Sequence, residues 1–273
     1  IDLEDAINQE GSFGLIQSVI KLINPDFGFE LLLYSDFPMK SGLGGSATVA
    51  ATILGCFNQF RSDPWDRYEM AELAFQAERL DLGIAGGWQD QYASVFGGFN
   101  FLEFKKDQNI VHPLRVPGDI LLQLEESLIL CDTGTIHESG DIHSDQKDRM
   151  RDDSVSKLVK SNVDLCYEMR NQLLRGKLND FGLSLNEAWQ AKRQFSSKIT
   201  SPELDLIYDK AISNGATGGK LLGAGGGGFF LFFVEADKRA FLIDHLILSG
   251  LKSTNFKFES EGLQGWKVRE SAK

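Results

Sequence analysis

The sequence predicts a two-lobed α+β protein, and two observations carry that prediction. The second half reads β-α-β-β-α-β, the split βαβ order of a ferredoxin-like lobe with extra helices inserted in its first crossover. In the first half, a glycine-rich turn joins a strand to a helix over Pro38-Met39-Lys40-Ser41-Gly42-Leu43-Gly44-Gly45-Ser46-Ala47-Thr48. The division falls near residue 125, giving lobes of 1–125 and 126–273 with no Pro-rich or Ser-rich linker and no internal repeat.

Taken in order, Leu15, Ile16, Val19, Ile20, Leu22 and Ile23 follow helical spacing. Residues 27–34 are rich in β-formers and bounded by Asp36 and Pro38, which predicts a strand. Residues 46–60, rich in Ala, Leu, Ile and Val, predict the helix that the glycines open. Asp63-Pro64 reads as the cap and first turn of a helix over 65–82, and 99–104 with 110–116 read as paired strands. The second lobe follows as a strand at 128–132, a long helical region at 144–214, strands at 217–222 and 229–235, a helix at 237–249 and a strand at 254–258.

Composition narrows the function. Apolar residues make up 42% and charged residues 25% of 273, and no run of about 18 apolar residues exists to cross a bilayer. The chain starts Ile1-Asp2-Leu3-Glu4, without Met and without a basic-then-apolar signal tract, so an upstream segment is expected to be absent. A net charge of −11 with no basic run argues against nucleic acid as a partner. It leaves room for a nucleotide triphosphate, provided that glycine-loop N–H groups and a divalent metal supply local positive charge. Cys56, Cys131 and Cys166 form no CxxC and suit a reducing cytoplasm as buried free thiols.

The first glycine run is an anion site by its chemistry. The first turn of a helix leaves N–H groups unpaired at the positive end of its dipole, and glycine lets a phosphate approach them. Gly42-Leu43-Gly44-Gly45-Ser46-Ala47 also satisfies the loose dinucleotide pattern G-x-G-x-x-A, yet about seven residues separate it from the strand, too many for the tight turn of that motif. A Walker A loop fails for want of Gly-Lys-Ser/Thr, and a plain helix start with Ser46 satisfying its own backbone stays open. The second run, Gly218 to Gly228, contains four consecutive glycines, whose ordering entropy is costly and points to a hairpin pressed against something, with a flexible hairpin as the alternative.

Two acids stand out. On a helical wheel Glu78 falls beside Ala71, Ala74, Phe75 and Leu82, so its carboxylate faces inward and needs Arg67, Arg79, solvent at a cleft edge, or a metal. Asp90, in Gly86-Gly87-Trp88-Gln89-Asp90-Gln91-Tyr92, is either a cap or a general base. The loop Thr133-Gly134-Thr135-Ile136-His137-Glu138-Ser139-Gly140-Asp141-Ile142-His143 misses the zinc-hydrolase pattern, His112 and His245 are isolated, and no Gly-x-Ser-x-Gly elbow occurs.

Pro38 to Thr48 together with Lys220 to Gly228 resemble motifs two and three of the GHMP kinases. A serine is usual in that family where Gly45 stands here. The stretch from Ala77-Glu78-Arg79 through Gly86-Gly87-Trp88-Gln89-Asp90-Gln91-Tyr92 to Phe96-Gly97-Gly98, with Thr133-Gly134, is most similar to the D-glycero-D-manno-heptose 7-phosphate kinase group. The resemblance implies an N-lobe like domain 2 of ribosomal protein S5, here incomplete because the family's first motif has no counterpart before Ile1, and a ferredoxin-like C-lobe. It implies ATP and Mg²⁺, with Gly42, Leu43, Gly44, Gly45, Ser46 and Ala47 around the triphosphate and Ser46 and Glu78 on the metal. Asp90 is then the base, and Gly225, Gly226 and Gly227 approach substrate or phosphates. The implied reaction is phosphorylation of the anomeric hydroxyl of a sugar phosphate, a small-molecule substrate. Such a substrate needs a cation for its own phosphate, and Lys192 and Arg193, or Lys147 and Arg149, are the available candidates, which a solvated helix face explains equally well. Another sugar such as fucose or galactose, a non-catalytic binding member of the fold, and more distantly a dehydrogenase remain as alternatives.

Overall fold

A computed structural model describes residues 13–36, 41–135, 139–149 and 152–268. Pro38, Met39 and Lys40 of the first glycine motif and His137 and Glu138 of the histidine loop lie outside the described residues. The chain forms two compact units. The first takes the described residues up to 36, then Gly44–His112 and 259–268; the second takes 41–43 and Pro113–Phe258. The sequence reading set one boundary near 125 and gave everything beyond it to the second lobe. The last residues instead return to the first unit, where Gly98 N donates to Glu259 O at 2.8 Å and Leu263 N to Val95 O at 3.2 Å.

In the first unit, α1 (Gly14–Ile23), α2 (Gly45–Asn58), α3 (Arg67–Phe75) and α4 (Gln89–Phe96) pack beside a two-stranded sheet of β1 (Asn100–Phe104) and β2 (Asn109–Pro113). Val19, Ile20, Ala50, Ile53, Leu54, Phe57, Ala74 and Ala77 form one apolar cluster; alanines on α2 and α3 let the helices approach closely. The start of α3 is fixed by a capping box, with Asp66 accepting from Glu69 N and Glu69 from Asp66 N. This corrects the expected Asp63-Pro64 cap. The helix over 65–82 is also interrupted: after Phe75 it widens into a π-type turn, Gln76–Asp81, held to α1 by Ser18 Oγ donating to Ala77 O at 3.1 Å.

Residues 27–34 pair with no strand among the described residues, contrary to the expectation, and Leu32 and Tyr34 are 85% and 92% exposed. Phe27 and Phe29 lie instead on the ring of Phe57, at centroid distances of 6.1 and 4.9 Å. β-formers report how well a side chain suits a paired, half-buried surface, and without a neighbouring strand that preference builds no ladder.

The second unit begins with α5 (Gly118–Ser127), a helix that the sequence reading did not assign, and β3 (Leu128–Asp132). The first crossover carries α6 (Ser139–Arg149), α7 (Asp153–Leu174), α8 (Leu178–Lys192) and α9 (Pro202–Ser213); β4 (Ala216–Leu221), β5 (Phe229–Val234), α10 (Arg239–Leu248) and β6 (Lys252–Thr254) follow. The four strands form an antiparallel sheet in the order β4-β5-β3-β6, as the split βαβ reading requires. Its core gathers Ile129, Trp189, Tyr208, Phe230, Phe232 and Leu242. Helix α8 is seated on β4 through paired glycines. A Cβ on Gly218 would stand 2.1 Å from Gly182 O and 2.9 Å from Asn186 N. Gly218→Ala is therefore expected to push α8 off the sheet and cost about 1–3 kcal/mol, read as a lowered Tm.

Of the cysteines, only Cys131 is buried; Cys56 and Cys166 are exposed, which corrects the expectation of three buried thiols. No helix among the described residues is long and apolar enough to cross a membrane.

Candidate active site

Helix α2 opens on Gly44, whose φ of +73° suits glycine, and the helix start has no side-chain cap. Ser46 is not that cap. Its Oγ donates to Glu78 Oε1 at 2.5 Å, joining the α2 start to the π-type turn of α3. The turn brings Glu78 inward as the helical wheel predicted, leaving it 3% exposed. Its other oxygen accepts from Gln91 Nε2 at 2.7 Å, and Arg79 NH1 lies 3.5 Å from Oε1. Arg67, the other expected partner, donates to Phe96 O instead.

Asp90 occupies the first turn of α4 and caps nothing with its side chain. Stacking of Trp88 on Phe75, with centroids 3.4 Å apart and planes within 4°, fixes the entry to that helix. Thr48 Oγ1 and Ser94 Oγ, 3.1 Å apart, tie α4 to α2. The result sets Asp90 against the glycine loop: a Cβ on Gly44 would meet the Asp90 Cβ and Cγ at 3.6 Å. Burial raises the Asp90 carboxyl above the ordinary carboxylate range, the Arg79 guanidinium opposes the rise and the Glu78 carboxylate adds to it. Arg79 is itself confined. It donates to Ile84 O and Ala85 O and lies so close to Gly86 that a Cβ there would stand 2.4 Å from its guanidinium carbon.

At Gly45 a side chain would meet nothing within 4 Å, so the serine usual at this position of the family has room. Two buried atoms of the cluster, Gln91 Oε1 and Arg79 Nε, have no hydrogen-bond partner. An orphaned acceptor beside a buried carboxylate and a hydroxyl matches the needs of a hydrated cation. Among the described residues no group of three His, Cys, Asp or Glu could hold a metal by itself, whereas a phosphate-bridged Mg²⁺ needs only one or two protein ligands.

In the second unit, Gly42 and Leu43 run beside the second glycine run. A Cβ on Gly223 would lie 2.8 Å from Gly42 Cα, and Gly223 is exposed. Gly225, Gly226, Gly227 and Gly228 are buried. Gly226 N donates to Ile199 O at 2.8 Å, Gly228 N to Thr135 O at 2.8 Å, and Thr133 N to Gly228 O at 2.9 Å. The hairpin is thus held by its own unit and is not a flexible one. What it is pressed against is Ile199, Thr133, Thr135 and Ser41. Of the expected phosphate cations, Arg193 pairs with Asp205 at 2.8 Å, Lys147 and Arg149 are exposed on α6, and Lys192 is held at the root of the hairpin.

The same stretches match known families. Residues 14–98 match the GHMP kinases N terminal domain and residues 169–247 the GHMP kinases C terminal. The chain is 36% identical over 271 residues, 97% of its length and 80% of the relative's, to the D-glycero-alpha-D-manno-heptose 7-phosphate kinase of Campylobacter jejuni. The chain belongs to the GHMP kinases. As a GHMP kinase it is a phosphotransferase with an alcohol group as acceptor. A solved heptose 1-phosphate kinase from Bacteroides thetaiotaomicron superposes with a TM-score of 0.74 at 31% identity, over 96% of this chain and 76% of that one. A Lactococcus lactis galactokinase solved with galactose gives 0.69 at 19% identity, over 95% and 78%, a likeness of fold alone. Both GHMP lobes of the sequence reading are thereby accounted for.

Sequence reading missed Gln91. It is fully buried against Glu78, and the available signal was a polar residue one turn before Val95 on the apolar side of α4.

Proposed function

We propose that this GHMP kinase transfers the γ-phosphoryl group of ATP to the anomeric hydroxyl of D-glycero-D-manno-heptose 7-phosphate, giving the 1,7-bisphosphate and ADP in the cytoplasm. The observation that carries this reading is the 36% identity to a heptose 7-phosphate kinase over 97% of the chain. The contact of Asp90 with the Gly44 turn supports the chemistry. Phosphoryl transfer relies mainly on positioning and on neutralising charge. In this reading the N–H groups of Gly44, Gly45, Ser46 and Ala47 hold phosphate oxygens at the open helix start, with Gly42 and Leu43 leading into the turn. Ser46 and Glu78 hold Mg²⁺, which when bound offsets the charge of the phosphates. Asp90 accepts the proton of the attacking hydroxyl and orients it. Gly225, Gly226 and Gly227 act by shaping the loop that begins at Gly223.

Arg79 is assigned to Asp90 as a positioning residue. A base must be ionised, so kcat/KM falls as pH drops through the raised Asp90 pKa. Arg79 favours the ionised form, and Arg79→Met is expected to move the acidic limb of the pH–rate profile to higher pH. An unmoved limb would count against that assignment.

Phosphorus NMR tests the reaction directly. The protein is mixed with Mg-ATP and the heptose 7-phosphate; a new anomeric phosphate signal growing with ADP is the expected result. A signal at another carbon would favour a different hydroxyl, and turnover restricted to unphosphorylated fucose or galactose would overturn the substrate while leaving the kinase class in place.

A further inference from the structure

Two lysines of the second unit stand together with no acid beside them. Lys192, the last residue of α8, donates through Nζ to Leu221 O at 3.1 Å and Gly223 O at 2.5 Å. Lys220, on β4 one residue before the first of those carbonyls, makes no side-chain hydrogen bond or ion pair among the described residues. Other cations of the same unit are balanced differently: Arg193 meets Asp205, Lys177 meets Asp180 and Lys238 meets Glu235. In a chain with 39 acids and 28 bases, a half-buried pair of ammonium groups without a carboxylate runs against composition. Burial, and then the charge of Lys220, lower Lys192 to about 7, and burial lowers Lys220 as well; the Cys166 thiol on α7 is the other titratable group beside Lys220. Like charges removed from water call for an anion.

The place of the pair says which anion. Lys192 grips the carbonyl of Gly223, the exposed glycine that packs on Gly42. Two of its three donors are on carbonyls, one is left, and Lys220 keeps all three of its own. In the reading above, the triphosphate has a helix start and a metal to balance it, whereas of the cations expected for the acceptor's phosphate Arg193 is already paired with Asp205 and Lys147 and Arg149 are exposed on α6. We propose that Lys192 and Lys220 bind the phosphate group that the acceptor sugar already carries, an inference that rests on the sugar-phosphate reading. Four free donors on two flexible stems suit a phosphate dianion as a pair of point charges.

Lys220→Met is the informative variant, because Lys192 also holds the strand end. Inorganic phosphate is titrated into the full chain and followed by phosphorus NMR. Saturable binding that Lys220→Met abolishes and Lys220→Arg keeps is the expected result. In steady-state assays Lys220→Met is expected to raise KM for the heptose 7-phosphate about tenfold to a hundredfold, the loss of one charge-assisted contact, with KM for ATP unchanged. A KM for ATP that rises instead, an unchanged KM for the sugar phosphate, or a wild-type protein that binds no inorganic phosphate would each overturn the proposal. A protein that binds phosphate through Lys220 yet turns over no sugar phosphate would sink the substrate reading and leave the anion site standing. The circular dichroism melt of Lys220→Met, matched to wild type, separates lost binding from lost fold.

Discussion

Replacing Asp90 by Asn is expected to lower turnover by at least about two orders of magnitude, within the usual range for loss of a general base, while ATP still binds. The same substitution is expected to stabilise the protein. Burial makes the carboxyl harder to ionise in the folded chain than an ordinary aspartate. The folded state therefore holds the proton more tightly than the unfolded state, and stability falls as pH rises from the unfolded pKa to the raised folded one. Once the folded carboxyl is ionised, as a base must be, that loss is complete, and an uncharged Asn removes it, so the Tm of Asp90→Asn on the activity plateau of the pH profile should exceed that of the wild type. A drop in turnover with a raised Tm identifies a group kept for chemistry at the expense of the fold. Unchanged turnover would rule Asp90 out as the base and favour the binding-only reading.

Glu78→Gln is expected to act on fold and chemistry together. Ser46 Oγ and Gln91 Nε2 both donate to Glu78. A glutamine offers one acceptor and one donor in their place, so one of the two loses its partner. Arg79, with 9% of its side chain exposed, also loses the carboxylate 3.5 Å away. Removing one member of a buried ion pair costs about 3–5 kcal/mol, and a chain of this size should register that as a Tm lowered by roughly 10 °C. At a temperature where the variant is folded, activity should require more Mg²⁺ than the wild type does. A Tm within a degree of wild type would mean that the cluster is wetter than its geometry implies; an unaltered Mg²⁺ requirement would take Glu78 off the metal.

The legible parts of this chain are those where one local rule and the tertiary structure agree. The strand over Leu128–Asp132 was read at its observed bounds because a continuous apolar run between turn signals suits a strand covered on both faces. Glu78 was legible because a carboxylate within an apolar arc is costly wherever the helix packs. The segment 27–34 misled because β-propensity is a statement about neighbours, and the neighbours are not written in the segment itself. The capping box at Asp66 and Glu69 was in plain view, and Asp63-Pro64 was preferred only because proline is the louder signal. Gln91, Lys220 and the confinement of Arg79 on Gly86 depend on residues brought together by packing, and no spacing in the sequence announces them. The second glycine run was read correctly as pressed against something; that the something is Ile199, Thr133, Thr135 and Ser41 needed coordinates.

The return of residues 259–268 to the first unit has a bearing on how the chain is made. A Cβ on Gly97 would fall 2.0 Å from Gly262 N, and Leu263 occupies the space beside Gly55 that a side chain there would fill. These contacts join residues separated by more than a hundred and fifty positions, so the first unit closes a very long loop, the kind of pairing that slows folding. The second unit draws its sheet and helices from one continuous stretch, Pro113–Phe258. On the ribosome, the N-terminal half must wait with Gly55 and Gly97 uncovered until the tail emerges, and the part of the protein that is translated later is the part that can finish folding first.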